Sequence, residues 1–357
     1  MLKLRLRIIG CLLAMAVCPL LGAAEPPLRL GVITSLTGMA SSFDHFQNNG
    51  MRLAQEELKA QGTEVELIFE DSASLGNKAI AAFNKLITFD KADAIISDDF
   101  GFAVAPLIPL ADRSKKLLIA SSLPQERFCK GSKGYFFSVG TQFSSSAPAF
   151  DAFFNAHPEV KRAAAFVYDD PEWGETYMGI WRELAAKHGV QITDEFLNLE
   201  ATPSFLSMVS RALAKKPELI LLAHEPITFS KAVSQLGYKG PILAANNFLE
   251  ALYAGQSADE ILKQVFVVEA VVNDSFRKSY EARFNEPPIL EAYTGYELVR
   301  VAVKALSISR SDPAAAMPTI SYQGVSGPID FTNGACSGNR AQWGLFRFEG
   351  RSLVQVR

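Results

Sequence analysis

Short apolar runs alternate with amphipathic segments along most of this 357-residue chain. The first run, residues 28–33, predicts a buried strand. Small and hydroxyl residues follow over 34–38, and apolar residues then recur at helical spacing from Met51 to Leu58. A strand, a loop with available backbone N–H groups and a helix N-terminus together favour the binding of a small polar ligand.

The same alternation continues to about residue 269. Later strands are predicted at 65–69, 93–97, 116–120, 135–139, 162–168, 190–193, 218–223, 241–245 and 265–269. Helices are predicted between them and at 276–284 and 293–308. We expect the strand at 265–269 to return toward the first half of the fold, and the tail to form a hairpin or short antiparallel strands at 327–331 and 344–348. This order indicates an α/β fold with parallel sheets covered on both faces.

The first 24 residues have the pattern of a secretory signal peptide. Three basic residues within the first seven precede an apolar stretch at 8–21, and small residues end the segment at Ala24. The stretch of about 14 residues is shorter than the roughly 20 that a membrane span needs. We therefore predict cleavage before Glu25 and export to the periplasm, with an uncleaved anchor as the alternative.

Cleavage would leave two of the four cysteines, Cys129 and Cys336. In an oxidising compartment two such thiols can form a disulfide. The alternative is a pair of buried free cysteines, because the sequence does not give the distance between their Cα atoms.

Composition excludes several classes of protein. The chain is 48% hydrophobic and 20% charged, so it can build cores and is not disordered. A net charge of −3 without a basic stripe argues against nucleic-acid binding. The four histidines lack metal-ligand spacing, and the sequence contains no H-E-x-x-H, paired CxxC, P-loop or G-x-S-x-G followed by an acid and a histidine. We predict no catalytic site, no metal and no cofactor.

Three segments carry a resemblance to a known family. They are the motif at 30–38 with Asn49–Ala54 behind it, the stretch Val167–Gly174, and Gly327–Phe331 near the end. In their order and spacing they resemble the type I periplasmic solute-binding proteins of the branched-chain amino acid and amide group, which supply ABC importers. The resemblance covers nearly the whole mature chain and implies two Rossmann-like lobes joined by a three-strand hinge, with the ligand cleft between the lobes.

In such a fold each lobe is discontinuous in sequence. The resemblance implies a first lobe of residues 25–140 plus 270–325. The second lobe would contain residues 141–269 plus 326–357. Monomeric state, a small-molecule ligand and an inner-membrane ABC permease as partner are further implications of the resemblance.

The resemblance also suggests where ligand contacts lie. Ser121 and Ser122 fall where relatives use backbone and hydroxyl contacts, and Leu123 replaces a threonine. Asn246 aligns with an acidic residue that pairs with a ligand ammonium in amino-acid binders, and Trp173 aligns with an aromatic cleft wall. Because Asn246 carries no charge, an amide, a carboxylate without an ammonium, or an apolar or aromatic compound is favoured over leucine, isoleucine or valine.

Other candidate contacts follow predicted strands, where ligands bind in open α/β sheets. They are Ser35, Asp99, Phe100, His224 and Glu225. Each has a structural alternative: a turn hydroxyl for Ser35, a helix cap for the aspartate, core packing or a solvated loop for the others.

Together these features predict a periplasmic receptor that closes two lobes on a small organic solute and presents the closed form to an importer. The first alternative is a ligand-sensing receptor that signals to a membrane partner without transport. A secreted hydrolase or other enzyme is a further alternative, which the missing motifs disfavour.

Overall fold

The computed structural model describes residues 26–168, 173–196, 205–256 and 258–356. Within these ranges strands and helices alternate as predicted, and they form two main sheets covered by helices. The predicted signal peptide, residues 1–24, and the predicted mature start at Glu25 lie outside the described residues. No described helix combines the length and the apolar character that a bilayer span requires.

The first sheet is built from the amino-terminal part of the chain. Its strands are β1 (Leu28–Thr34), β2 (Val65–Asp71), β3 (Ala94–Ser97), β4 (Leu118–Ala120) and β5 (Phe136–Ser138). They are parallel, in the order β2-β1-β3-β4-β5. The intervening helices are α1 (Ser41–Ala60), α2 (Gly76–Thr88), α3 (Gly101–Val104), α4 (Ile108–Ser114) and α5 (Glu126–Gly131), with a 3-10 turn at Ala105–Leu107 between α3 and α4. Strand β1 lies inside the sheet, between β2 and β3, and its apolar sequence fits a strand that helices cover on both faces.

The second half repeats the pattern. Its strands are β6 (Arg162–Val167), β7 (Gln191–Phe196), β8 (Leu219–Ala223), β9 (Ile242–Ala244) and β10 (Val265–Ala270). Its helices are α6 (Ala147–Ala156), α7 (Gly174–His188), α8 (Phe205–Ala214), α9 (Pro226–Gln235) and α10 (Asn247–Tyr253). The aligned carboxyl ends of β6, β8 and β9 place the loops that follow them along one edge of the sheet.

The last part of the chain contributes to both halves. It contains α11 (Asp274–Phe284), α12 (Leu290–Ile308), α13 (Pro313–Ala316), β11 (Ser321–Gln323), β12 (Pro328–Asp330), β13 (Trp343–Glu349) and β14 (Ser352–Gln355). The second sheet has the order β14-β13-β10-β9-β8-β6-β7, and β11 pairs with β12 separately. Strand β10 lies inside the second sheet between β9 and β13, and the expected return toward the first half follows it, from residue 271 to α12. The tail does form short antiparallel strands.

Helix α12 returns to the first sheet, where it crosses α1 at very short distance. A Cβ atom built on Gly50 would lie 1.8 Å from the carbonyl oxygen of Ala292, and one on Gly295 would lie 2.1 Å from that of Gln47. Only glycine allows the two backbones to approach this closely. The crossing therefore fixes α12 to the first lobe, although α12 is far from α1 in sequence.

Three crossover segments, residues 139–142, 271–273 and 340–342, connect the two halves. They are hydrogen-bonded to each other and to their flanks: the Val271 N–H donates to the Gln342 carbonyl at 2.8 Å. The Asn339 amide donates to the Val139 carbonyl, also at 2.8 Å. The predicted architecture, two α/β lobes joined by a three-strand hinge, is confirmed.

The segment before the third crossover packs on the first sheet. Cys336 forms a disulfide with Cys129 of α5, with their Cα atoms 5.7 Å apart. The Ser138 N–H donates to the Cys336 carbonyl at 2.7 Å, and the Phe331 ring meets Phe137 edge-on at 5.8 Å. Residues 328–338 thus lie beside the first lobe, whereas the sequence-based boundaries assign them to the second.

Candidate functional site

Three aspartates are buried at the carboxyl ends of β1 and β3. Asp44 lies in the first turn of α1, Asp98 and Asp99 follow β3, and each is at most 2% exposed. The Thr34 hydroxyl, which accepts from Asn48, is 3.2 Å from an oxygen of Asp44 and 3.2 Å from one of Asp98. Burial, more than the neighbouring charges, raises the pKa of both of these carboxyls well above the ordinary range. We call the three residues the aspartate cluster.

Ser35 was a predicted ligand contact, but the first lobe encloses its side chain. The residue is 1% exposed. Its hydroxyl accepts from the Ser74 backbone N–H at 3.0 Å and lies 3.1 Å from the Ser72 hydroxyl. Its own backbone N–H donates to Asp44. These bonds match the alternative role of a turn hydroxyl and differ from the predicted ligand contact.

Asp99 and Phe100, predicted together, have different surroundings. Asp99 is 1% exposed and accepts from the Ser72 hydroxyl and, at 2.8 Å, from the Phe100 backbone N–H. These hydrogen bonds stabilise the loop that carries Asp99. Phe100 is half-buried, with its ring 5.9 Å from that of Phe43 and 5.7 Å from that of Phe102. Phe100 therefore belongs to an aromatic group at the lobe surface.

Ser121 and Ser122 lie beside the hinge and are half-buried. The Ser122 carbonyl accepts from the Ser138 hydroxyl at 2.8 Å, whereas the Ser122 hydroxyl has no hydrogen-bond partner in the described part of the chain. A Cβ atom on Gly140 would lie 2.4 Å from the Ser121 carbonyl oxygen, so the first crossover touches this loop. Leu123 packs into the lobe core, with a left-handed φ of 58°.

Three other predicted residues come together at the second lobe. His224 stacks on Tyr168 with ring centroids 3.7 Å apart, and the Tyr168 hydroxyl donates to Glu225 at 3.1 Å. The Trp173 ring lies 6.0 Å from Tyr168 and 5.0 Å from Tyr177. Burial lowers the pKa of His224 to about 4, so its imidazole is neutral at neutral pH. The rings of Tyr168, Trp173 and His224 thus form an aromatic wall on the second lobe, and the Glu225 carboxylate lies beside it.

Asn246 connects this wall to a second acidic group. The residue is 2% exposed, its amide oxygen accepts from the Tyr177 hydroxyl at 2.9 Å, and its amide nitrogen donates to Glu250 at 2.9 Å. Both ends of the amide therefore have protein partners. In this structure Asn246 orients Tyr177 and Glu250.

Glu250 belongs to a group of three glutamates, two of them buried and Glu291 half-buried, that the sequence analysis did not select. Glu250 on α10 and Glu269 on β10 come from the second lobe, and Glu291 on α12 comes from the first. The charge of Glu291 contributes to raising the pKa of the Glu250 carboxyl. Burial is the largest cause that raises the pKa of all three carboxyls. We call these residues the glutamate cluster.

The surroundings of the glutamate cluster contain polar atoms without partners. Tyr293 is 0% exposed, and the charges of Glu269 and Glu291 contribute to raising its pKa. Ser326 and Thr141, from the crossover region, are its polar neighbours but lie outside hydrogen-bond geometry. Across the described residues, the Tyr293 and Ser326 hydroxyls make no hydrogen bond.

No basic side chain neutralises the glutamate cluster within the described residues. None of the ion pairs found there includes Glu250, Glu269 or Glu291. Nor do the described ranges contain three or more His, Cys, Asp or Glu side chains arranged to hold a metal ion. Hydrogen-bond donors do reach two of the three carboxyls: Asn246 donates to Glu250 at 2.9 Å, and the Ala270 backbone N–H donates to Glu269 at 2.8 Å.

The sequence held weak signals for these glutamates. Glu269 ends a strand that is otherwise apolar, and Glu250 follows Asn246 by one helical turn. Glu291 precedes the predicted helix start at residue 293, whereas α12 begins at Leu290. An acidic residue inside an apolar run is unusual enough to indicate a function.

Comparison with known proteins supports the fold. A family model described as "Periplasmic binding protein" matches residues 27–346. A search of curated proteins finds no match. Among solved structures, the branched-chain amino acid transporter substrate binding protein of Streptococcus pneumoniae, in complex with isoleucine, is 16% identical and has a TM-score of 0.78. The match covers 93% of this chain and 100% of that one.

Two further structures are similar over most of their length. The leucine binding protein of Thermotoga maritima is 20% identical, with a TM-score of 0.74 over 92% of this chain and 98% of that one. A solute binding protein of an ABC transporter from Rhodopseudomonas palustris, in complex with 3,4-dihydroxybenzoic acid, is also 20% identical. Its TM-score is 0.76 over 92% of this chain and 96% of that one.

Proposed function

We propose, from the premise that this chain belongs to the periplasmic binding proteins, that it is the substrate-binding component of an ABC importer for a small organic solute. The observation that carries the proposal is the hinge: three crossovers join the two α/β lobes and bond to each other, as the Val271 N–H does to the Gln342 carbonyl. Two hinged lobes with polar groups at their junction suit closure around a ligand.

We assign the ligand contacts to groups that still have bonding capacity or exposed surface. Trp173 would supply an aromatic face, and Phe100 an apolar edge from the opposite lobe. The unpartnered hydroxyl of Ser122 would bond a polar group of the ligand, with Ser121 beside it. Glu225 and His224 would form part of the second-lobe wall.

The partner and the compartment follow from the same proposal. Residues 1–24 would direct export, and the mature chain would act in the periplasm as a monomer. Its membrane partner would be an inner-membrane ABC permease that distinguishes the closed form from the open one. The solute would be released unchanged, because binding by hydrogen bonds and aromatic contacts needs no nucleophile.

A ligand screen on the mature chain tests this proposal. A solute that binds only the folded protein raises the melting temperature, by an amount that follows from its concentration relative to Kd. We expect at least one small organic solute to raise it, to reduce the radius of gyration in X-ray scattering, and to be recovered unaltered. A chemically changed solute, or a screen of transported solutes without any hit, would overturn the proposal.

A further inference from the structure

We infer that Asp98 is a neutral carboxylic acid in the folded first lobe, and that its proton joins the loop after β3 to the end of β1 and to α1. The proton lies in the hydrogen bond between the Asp98 carboxyl and the Thr34 hydroxyl. This inference goes beyond the proposed function and does not depend on it, because it concerns the first lobe of the unliganded protein.

The first argument counts the hydrogen atoms around Thr34. A hydroxyl has one hydrogen to donate and two lone pairs with which to accept. The Thr34 hydroxyl accepts from the Asn48 amide nitrogen at 3.1 Å. Two carboxyl oxygens also lie within hydrogen-bond distance of it, one of Asp44 and one of Asp98, each at 3.2 Å. The single hydrogen of Thr34 serves only one of them, so the other carboxyl must carry a proton to bond to this hydroxyl.

The second argument decides which carboxyl carries the proton. The Asp44 oxygen that faces Thr34, Oδ2, also accepts from the Ser35 backbone N–H. By contrast, Oδ1 of Asp98 has no hydrogen-bond partner among the described residues. Hydrogen-bond donors favour the charged form of a carboxyl. We therefore assign the charge to Asp44, which accepts from Thr34, and the proton to Asp98, which donates to Thr34.

The electrostatic surroundings of Asp98 favour its neutral form. The residue is 2% exposed, and none of the ion pairs within the described ranges includes it. Burial is the largest cause that raises its pKa, and the charges of Asp44 on α1 and of Asp99 on the same loop raise it further. An ionised Asp98 would be a buried charge without a cation to compensate it.

Other charged groups on the neighbouring elements have partners of their own. Asp71, which ends β2, accepts from donors of its own loop and of the loop after β1. His45 on α1 lies 3.2 Å from Glu286, and Lys85 on α2 bonds to Glu70. The charged side chains of α12, which packs against β3, interact with tyrosines: Glu291, Glu297, Arg300 and Lys304.

The proton connects three parts of the first lobe. Asp98 begins the loop that leads to Phe100, Thr34 ends β1, and Asp44 lies in the first turn of α1. When the proton leaves at high pH, two buried negative charges face one hydroxyl, and the Asp98 carboxyl has no hydrogen left to donate. We expect the loop after β3 to separate from β1 in alkaline solution.

The variant Asp98→Asn tests the inference, because its amide N–H replaces the carboxyl O–H as donor but does not titrate. A group that is protonated in the native state and ionised in the unfolded state costs stability as pH rises. We expect the unfolding constant of wild type, divided by that of Asp98→Asn, to rise about tenfold per pH unit between the ordinary pKa of 3.8 and the raised native pKa. Urea denaturation of the mature protein at several pH values measures this ratio. A ratio that stays constant or falls overturns the inference.

Asp71→Asn is the matched control at the same edge of the sheet. Burial acts to raise the pKa of Asp71, but donors of Thr37 and Ala73 outweigh it and lower the pKa. Asp71 is therefore ionised in both states at neutral and alkaline pH, where the ratio for Asp71→Asn should be constant. A rise equal to that of Asp98→Asn would assign the pH dependence to other groups and overturn the inference.

Nuclear magnetic resonance of protein labelled with ¹³C at the aspartate Cγ detects the proton directly. At neutral pH we expect one aspartate signal at the position of a protonated acid, absent from Asp98→Asn and present in Asp44→Asn. If Asp98→Asn does not fold, wild type and Asp44→Asn decide. Carboxylate signals alone in the wild type, or loss of the acid signal in Asp44→Asn, overturn the inference.

Hydrogen exchange tests whether the proton holds the loop. Above the native pKa of Asp98, the amides of residues 98–101 should exchange faster in wild type than in Asp98→Asn, and below it at the same rate. Equal rates at every pH overturn the inference. So does a melting temperature that sodium or calcium raises in wild type and leaves unchanged in Asp98→Asn, because a metal ion would then take the place of the proton.

Discussion

The two buried acidic clusters differ in how their oxygen atoms are satisfied. In the aspartate cluster, hydroxyl and backbone donors from the same lobe reach the carboxyls, as Thr34 does for Asp44 and Asp98, although Asp98 Oδ1 has no partner among the described residues. In the glutamate cluster, the carboxyls come from both lobes, and one oxygen each of Glu269 and Glu291 has no partner there. The adjacent Tyr293 hydroxyl has no partner in the described ranges.

This difference separates a structural cluster from a binding cluster. Carboxyls whose donors lie on neighbouring loops of one lobe keep those loops in place in every state of the protein. Carboxyls that meet across a hinge are satisfied only when the lobes are closed and a donor is present. Burial and raised pKa values occur in both clusters, so these properties alone do not identify the site.

The largest effect is expected from Gly50→Ala, which disturbs both clusters. Helix α1 carries Asp44 and helix α12 carries Glu291, and the two helices cross at Gly50. A methyl group 1.8 Å from the Ala292 carbonyl oxygen must separate the helices. We expect a loss of about 3 kcal/mol or more in the free energy of unfolding, measured by urea denaturation.

Gly179→Ala is the matched control for this substitution. Gly179 lies in α7, where a Cβ atom would contact nothing within 4 Å. The change should stabilise the protein by roughly 0.5–1 kcal/mol, because alanine favours helix more than glycine. Similar losses for both variants would refute the close crossing as the cause.

Thr34→Val tests whether the aspartate cluster is structural. The substitution keeps the shape of the side chain but removes the hydroxyl that is shared by Asp44 and Asp98. We expect a loss of about 1–3 kcal/mol, because a buried acceptor is left without its donor. The affinity for ligand should not change, and a large loss of affinity at unchanged stability would reverse the assignment.

Glu269→Gln gives a smaller effect that depends on pH. Burial raises the pKa of Glu269 above its ordinary value of 4.5. At a pH between the ordinary pKa and the raised native pKa, the native state therefore holds more protons than the unfolded state. The contribution of protonated Glu269 to stability is therefore complete below the ordinary pKa. It is lost as pH rises through the raised pKa of the native state. Without ligand, the stability of Glu269→Gln relative to wild type should rise with pH, by at most about 1.4 kcal/mol per pH unit.

Denaturation curves of both proteins at several pH values measure this difference. Half-buried carboxyls with lowered pKa values, such as Asp71 and Asp330, make stability rise with pH. Both proteins contain them, so their effect cancels in the difference between wild type and variant. A difference that stays constant with pH would show that Glu269 is ionised in the native state.

The smallest effect on stability is expected from Tyr293→Phe. The ring is kept, and the hydroxyl that is lost has no hydrogen-bond partner in the described part of the chain. The free energy of unfolding without ligand should change by less than about 0.5 kcal/mol, or rise slightly. A loss of stability comparable to that of Thr34→Val would remove the contrast between the clusters.

Most of the fold could be predicted from hydrophobic periodicity. The strand predicted at 65–69 is β2 at Val65–Asp71, and the helix predicted at 276–284 is α11 at Asp274–Phe284. Pairing could not be predicted in the same way, because it depends on partners far away in sequence. For this reason the segment at 328–338, which bonds to the first sheet where the Ser138 N–H donates to the Cys336 carbonyl, was assigned to the second lobe.

The candidate site was less predictable than the fold. The rule that ligands bind in loops after strands selected Trp173 and His224, and both rings lie beside Tyr168 because parallel strands bring their carboxyl ends together. The same guide selected Ser35, whose hydroxyl turned out to be bonded within its lobe. Glu291 was missed because its importance comes from helix packing across the hinge, which no local pattern encodes.

The crossing of α1 and α12 also sets an order of events for a chain that is made from its amino end. Strands β1–β5 are complete at Ser138, but of the two helices that pack on the Leu30 and Val32 side of that sheet, α1 and α12, the second begins only at Leu290. During synthesis this apolar face of the first sheet is therefore only partly covered while the second lobe is being made. Such half-finished intermediates aggregate readily, so a chaperone that shields this face would increase the yield of active protein.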